Sequence, residues 1–199
     1  MTFLTAYFSA LPFLLGMMTL LWIVSIFIRN VSIVDLFWGA GFVVAAAVYF
    51  FLAGGTGART VLVPVLTAVW GLRLSLYLTW RNRGKGEDFR YRKFRSDYGE
   101  HRYWWVSFFQ VFLLQGILMW LVSAPLLGAQ YGSPSPPLSA VDGVAIVLWV
   151  TGMIFETGGD LQLARFRSDP GIHGAYQRLS SLVPQEKKIT KHSAIWSTT

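Results

Sequence analysis

Asp35, Arg73, Tyr77, Glu156, Asp160 and Arg167 stand inside or at the ends of long apolar runs, and their types move protons or grip anions. A charge near the centre of a bilayer costs about 2.5 to 3.5 kcal/mol on insertion scales, so each one needs a reason. Asp35 follows Ser32 by three residues in NVSIVDLFWG, a capping-box spacing that suits an acid at a helix start. The same pattern recurs at Ser139 and Asp142, where nothing suggests chemistry, and serves as an internal control. Asp35 differs in its neighbours Phe37 and Trp38, whose apolar surface would raise its pKa and suit it to deliver a proton. Cap and acid are both open readings of these residues.

Trp70, Arg73, Tyr77 and Trp80 recur at helical spacing, giving one face both rings and a cation. Such a stripe suits a flat ligand or an anion, and equally an aromatic belt at a membrane surface with a buried, paired arginine. Glu156 and Asp160 are four residues apart and Arg167 follows seven later, so all three share a helical face. The two acids repel each other at that spacing unless a donor or cation is shared between them. Gly158 and Gly159 between them allow close approach of a ligand or a second backbone. A solvated helix end with topological arginines explains the same pattern.

The elements that must carry these residues are membrane helices. Only 14% of residues are charged and mean hydropathy is +0.47, where soluble domains carry about 25% charge. Five apolar runs follow one another: Phe3 to Ile28, Ile33 to Ala53, Val61 to Trp80, Trp104 to Leu127, and Val141 to Phe155 continuing as a polar helix. About 20 apolar residues cross a bilayer core, so the reading is an all-α polytopic membrane helix bundle with about five spans. Residues 171–199 are polar, without a spanning run, and are expected to form a poorly ordered tail. There is no cysteine, hence no disulfide framework and no cysteine-based metal or redox site; no metal is expected.

Eight of the seventeen Lys and Arg residues lie between Arg81 and Arg102, interleaved with Phe89, Tyr91, Phe94 and Tyr98. Arg29, this cluster and the six basic residues after Phe155 fall on one side of the spans; Arg59 alone falls on the other. That asymmetry predicts a cytoplasmic cluster, an N-terminus outside and a C-terminus inside. The net charge of +7 is then explained by membrane lipids rather than nucleic acid. Rings that stack a base and guanidiniums that hold phosphates would also suit a nucleotide. Gly84-Lys85-Gly86 lacks the spacing of a phosphate-binding loop.

Together SIVDLFWG, WGLRLSLYLTWRNRGKGEDFRYRKFR and FETGGDLQLARFRSDP resemble the bacterial membrane proteins of the steroid 5α-reductase-like family. The resemblance covers about residues 20 to 170. It implies a seven-helix bundle that binds NADPH and reduces an activated carbon–carbon double bond in a hydrophobic, lipid or sterol-like substrate drawn from the bilayer. It places Glu156, Asp160 and Arg167 at the cofactor, with Arg81 and Arg83 as further cofactor contacts. It makes Asp35 the acid of a catalytic set with Arg73 or Tyr77 polarising the carbonyl. The family's catalytic tyrosine on the third helix falls at Trp70 here. After Pro170 the sequence GIHGAYQRLSSLVPQEKKITKHSAIWSTT departs from the family's Arg-His-Pro-x-Tyr cofactor motif and its two further helices, as a truncated or frameshifted product would. The alternatives are a membrane methyltransferase using S-adenosylmethionine, and a non-catalytic membrane protein.

Overall fold

The computed structural model describes residues 1–52, 57–131, 137–168 and 171. The expected tail, residues 172–199, lies outside the described residues, as does Pro170. Every regular element among the described residues is helical. Residues Met1–Val150 form one compact unit and Thr151 begins a second.

Helix α1 spans Phe3–Ile28, opened by Thr2, whose Oγ1 accepts the Thr5 N–H at 3.2 Å. Its buried residues, Ala6, Ala10, Leu14, Met18, Leu21 and Ser25, recur every three or four positions. They form one stripe toward the bundle, while Phe8, Phe13, Leu20 and Phe27 remain exposed, as a lipid-facing surface would be. Arg29 ends the helix in the left-handed conformation (φ 52°), its N–H donating to Ile26 O and Ser25 O.

The second apolar run is not one helix. A single turn, α2 (Ile33–Leu36), closes at Phe37, and α3 (Trp38–Leu52) starts afresh at Trp38. Among the described residues, four helical stretches are long and apolar enough to cross a membrane: Phe3–Ile28, Ala58–Asn82, Glu100–Gln130 and Ala140–Ser168. Helix α3, at 15 residues, is a shorter apolar fifth because α2 takes Asp35 out of it. Helix α4 (Ala58–Asn82) packs along α3. At their crossing Gly39 and Gly71 face each other, and a Cβ on either would fall under 3.0 Å from the other's backbone. Small residues let membrane helices approach to this depth.

After the basic loop come α5 (Phe89–Tyr98) and α6 (Glu100–Ser107). The Glu100–Gln130 stretch then passes through a π-helical segment, Phe108–Leu113, before α7 (Leu114–Val122) and α8 (Ala124–Gln130). Helix α9 covers Ala140–Ser168. Its first turn forms the acidic half of the capping box that its sequence predicts: Asp142 Oδ2 accepts from Ser139 N at 2.8 Å, and from Ser139 Oγ at 2.9 Å, while the Asp142 N–H goes to the Ser139 carbonyl. Asp142 also takes both arms of the Arg59 guanidinium, at 2.8 and 2.7 Å, and so ties the start of α9 to the start of α4. The Arg59 side-chain charge is thereby neutralised. In the second unit, α9 continues unbroken from Thr151 through Ser168, carrying Glu156, Asp160 and Arg167 on one helical face.

Candidate functional site

The turn after α1 and the loop before α5 are locked together by side chains that cap backbone groups. Glu87 Oε1 accepts the Val31 N–H at 2.9 Å, and the same carboxylate receives Arg95 Nη2 at 2.8 Å and Nε at 3.0 Å. Ser32 Oγ accepts the Asp88 N–H at 2.7 Å, and Asn30 Oδ1 accepts the Ser32 N–H at 2.9 Å. Asp88 Oδ1 in turn caps α5 through the Arg90 N–H at 3.0 Å. Glu87 is the hub, with its side chain 8% exposed. Replacing it with Gln weakens the Arg95 pair and sets an amide N–H against a buried donor. Glu87→Gln is expected to cost about 1–3 kcal/mol, read as a lowered thermal unfolding midpoint in detergent.

This lock decides what Asp35 does. Ser32, the would-be cap partner, has turned its hydroxyl to Asp88 and makes no side-chain cap of α2. Asp35 has turned instead to α5, where Oδ1 accepts the Tyr91 hydroxyl at 2.8 Å and Oδ2 accepts Arg90 Nη2 at 3.0 Å. The capping reading therefore fails at Asp35 and holds at Asp142, the control. Burial pushes the Asp35 carboxyl above its ordinary value. The Tyr91 hydrogen bond and the Arg90 charge pull it part of the way back, and Asp88 adds to the rise. Burial also pushes the Tyr91 phenol well above its usual range, with the neighbouring Asp35 charge adding to the shift.

Behind this pair lies a second layer. Tyr91 is 5% exposed, and the Gln115 side chain on α7 pulls its phenol pKa partly back down. Gln115 Oε1 accepts the Trp38 indole N–H at 2.7 Å. An indole only donates, so Gln115 must turn its carbonyl to Trp38. The Tyr91 proton points at Asp35. Tyr91, Asp35 and Arg90 thus form one hydrogen-bonded set between α2 and α5, with the bonded Trp38–Gln115 pair of α3 and α7 as a separate contact.

Asp35 stands at the wall of a cavity of about 670 Å³ formed by the ends of α1 and α4, by α2, and by the loop into α5. Five cations line it: Arg81, Arg83, Lys85, Arg90 and Arg92. Arg90 is paired with Asp35 and Asp88. Glu87, the third acid of the wall, is held by Arg95 from outside it. Among the described residues Arg81, Arg83, Lys85 and Arg92 have no carboxylate within ion-pair distance. Arg81 lies 5.6 Å over the Tyr77 ring, while its Nε is buried without an acceptor.

Of the residues singled out from the sequence, Asp35, Arg81 and Arg83 meet in this cavity. Arg73 and Tyr77 lie further back along α4 and do not line it; Tyr77 touches it only through Arg81. Glu156, Asp160 and Arg167 belong to the second unit. Sequence reasoning missed Tyr91, Glu87, Arg95 and Gln115. Tyr91 was visible only as one ring among several in a basic segment, although Asp88 as an N-cap fixes where α5 begins and hence which residues share its inner face.

No solved structure matches this chain significantly. An uncharacterised protein of the fission yeast Schizosaccharomyces pombe is 26% identical over 177 residues, a match that takes in 81% of this chain and 50% of the yeast protein. The chain therefore spans about half the length of that curated relative. A family model described as "Protein of unknown function (DUF1295)" matches residues 21–179. These residues include α2 with Asp35, the basic loop, α5 and all of α9, and on that match the chain belongs to the DUF1295 family.

Proposed function

We propose that this membrane protein is an NADPH-dependent reductase of an activated carbon–carbon double bond in a hydrophobic substrate. The observation that carries the reading is the Asp35–Tyr91 pair, a half-buried acid held by a buried phenol at the wall of a cavity. A raised pKa holds the carboxyl proton to higher pH than an ordinary carboxyl does, and the raised phenol stays a donor to it. The DUF1295 match supports the steroid 5α-reductase-like resemblance, because that family includes proteins of this kind.

The residues suit the cofactor's chemistry in part. NADPH brings phosphates, and Arg81 and Arg83 face the cavity without carboxylate partners. In the second unit, Glu156, Asp160 and Arg167 of α9 are the cofactor contacts that the steroid 5α-reductase-like resemblance proposes. When bound, NADPH supplies the hydride. Asp35 supplies the proton that completes addition across the double bond, and regains it from water in the cavity. Arg90 holds the carboxylate left after transfer, and the Tyr91 hydroxyl keeps its orientation. The charge asymmetry favours a cytoplasmic position for the basic end, where the soluble cofactor is found.

Titrating the detergent-solubilised protein with NADPH, followed by quenching of tryptophan fluorescence, tests the reading. Saturable binding is expected, weakened in Asp160→Ala. Undiminished binding in that variant removes the cofactor assignment, and binding of S-adenosylmethionine without NADPH replaces the reductase by a methyltransferase.

A further inference from the structure

The cavity beside Asp35 holds more positive charge than the described residues use, and its place in the fold says what could meet that charge. Ile28 is the last residue of α1, and Thr79, Arg81 and Asn82 form the last turn of α4. Both helices are long and apolar enough to span, so the cavity floor sits where hydrocarbon gives way to headgroups. Trp80, 63% exposed at the same level, marks that boundary in the manner of an interfacial aromatic belt. Exposed Ile28 and Phe89 form apolar edges to an otherwise basic opening.

We propose that this cavity binds the phosphate headgroup of an anionic membrane lipid, with Arg81, Arg83, Lys85 and Arg92 as its cationic grip. Phosphate reaches such a site from two sources, a lipid headgroup or a soluble phosphoester such as the cofactor. Three features favour the lipid. The opening lies level with the headgroups, where anionic lipids are concentrated. Its apolar edges suit the first acyl carbons of a lipid, which the cofactor does not carry. Its lining offers only Phe89 as a ring on which to stack a nucleotide base. The buried Arg81 Nε, which lacks an acceptor, is the donor that a phosphate oxygen satisfies. The proposal rests on the cavity alone and not on the reductase reading.

Native mass spectrometry of the delipidated full chain tests it, with dihexanoyl phosphatidic acid and dihexanoyl phosphatidylcholine as probes and NADPH and inorganic phosphate as competitors. One phosphatidic acid per chain is expected to bind, more tightly than phosphatidylcholine. Arg83→Gln, an exposed substitution that leaves the packing untouched, is expected to weaken binding about fivefold, the effect of one cation at an anionic surface. Arg29→Gln, at the same level but outside the cavity, is expected to leave it unchanged. Equal binding of phosphatidylcholine, or full affinity in Arg83→Gln, overturns the site. Displacement of the lipid by equimolar NADPH or inorganic phosphate assigns the cations to a soluble phosphate and also overturns it. NADPH binding that leaves the lipid in place keeps the lipid site and the reductase reading but takes Arg81 and Arg83 away from the cofactor. Absent NADPH binding sinks only the reductase.

Discussion

Asp35→Asn is expected to lower turnover of an enone-bearing lipid by about 10²–10⁴-fold, the usual contribution of a positioned general acid, while NADPH affinity stays unchanged. Asparagine keeps the shape and can still accept the Tyr91 hydroxyl, so the loss isolates the proton. The pH profile separates this from a structural effect. Burial raises the Asp35 pKa, so its proton is held to higher pH than in an ordinary carboxyl. A rate that needs the protonated acid falls as pH rises through that value. Tyr91→Phe removes a hydrogen bond that favours the charged form, which moves the falling limb to higher pH. Asp35→Asn abolishes the limb. The same sign holds for stability: a raised carboxyl contributes fully below its unfolded pKa and loses that contribution as pH rises through the folded value. If kcat/KM in Asp35→Asn stays within about tenfold of wild type with the limb intact, the proton comes from another group.

The helices were legible because apolar length needs no tertiary information. The limits of α1 agree with its apolar run to the residue, and those of α4 and α9 within a few residues. The break at Phe37 was not legible, since IVDLFWGAGF is continuous in hydropathy. What decides it is Asp35 turning to an α5 residue 56 positions away in sequence. The site was half legible for the same reason. An acid among aromatics marks itself, whereas its partner Tyr91 lies in a segment whose charge dominates any reading. Ser32 and Ser139 begin identical Ser-x-x-Asp patterns with different outcomes, because Ser139 has only its own helix to cap while Ser32 is recruited by the Asp88 backbone. A local motif predicts local bonds only where no distant partner outbids them.

Gly71→Leu is expected to abolish the folded bundle rather than merely weaken it. The sequence shows two Trp-Gly pairs, Trp38-Gly39 and Trp70-Gly71, and the structure brings them to one crossing of α3 and α4. There Gly39 and Gly71 face each other carbonyl to Cα, while Phe42 meets Trp70 edge-on at 5.8 Å between ring centroids. A Cβ at Gly71 would run into Gly39 O and the Val43 side chain; one at Gly39 would meet only the Gly71 backbone. Backbone cannot rotate aside as a side chain does, so α3 and α4 must separate along their length. Overpacking a core usually costs about 1–3 kcal/mol because neighbouring side chains give way, and here none can. Gly41→Ala is the control. Its Cβ would meet the flexible Met119 and Met17 side chains, which can move. Size-exclusion chromatography in detergent should show a single sharp peak for Gly41→Ala and aggregate for Gly71→Leu. A folded, monodisperse Gly71→Leu protein would mean that α3 and α4 do not meet at this depth. Because α2, which carries Asp35, leads directly into α3 at Trp38, separating the helices also displaces the backbone that holds the Tyr91–Asp35 pair. The crossing and the candidate acid therefore stand or fall together: Gly71→Ala, the mildest substitution there, should lose the pH limb of Asp35 in step with its unfolding midpoint.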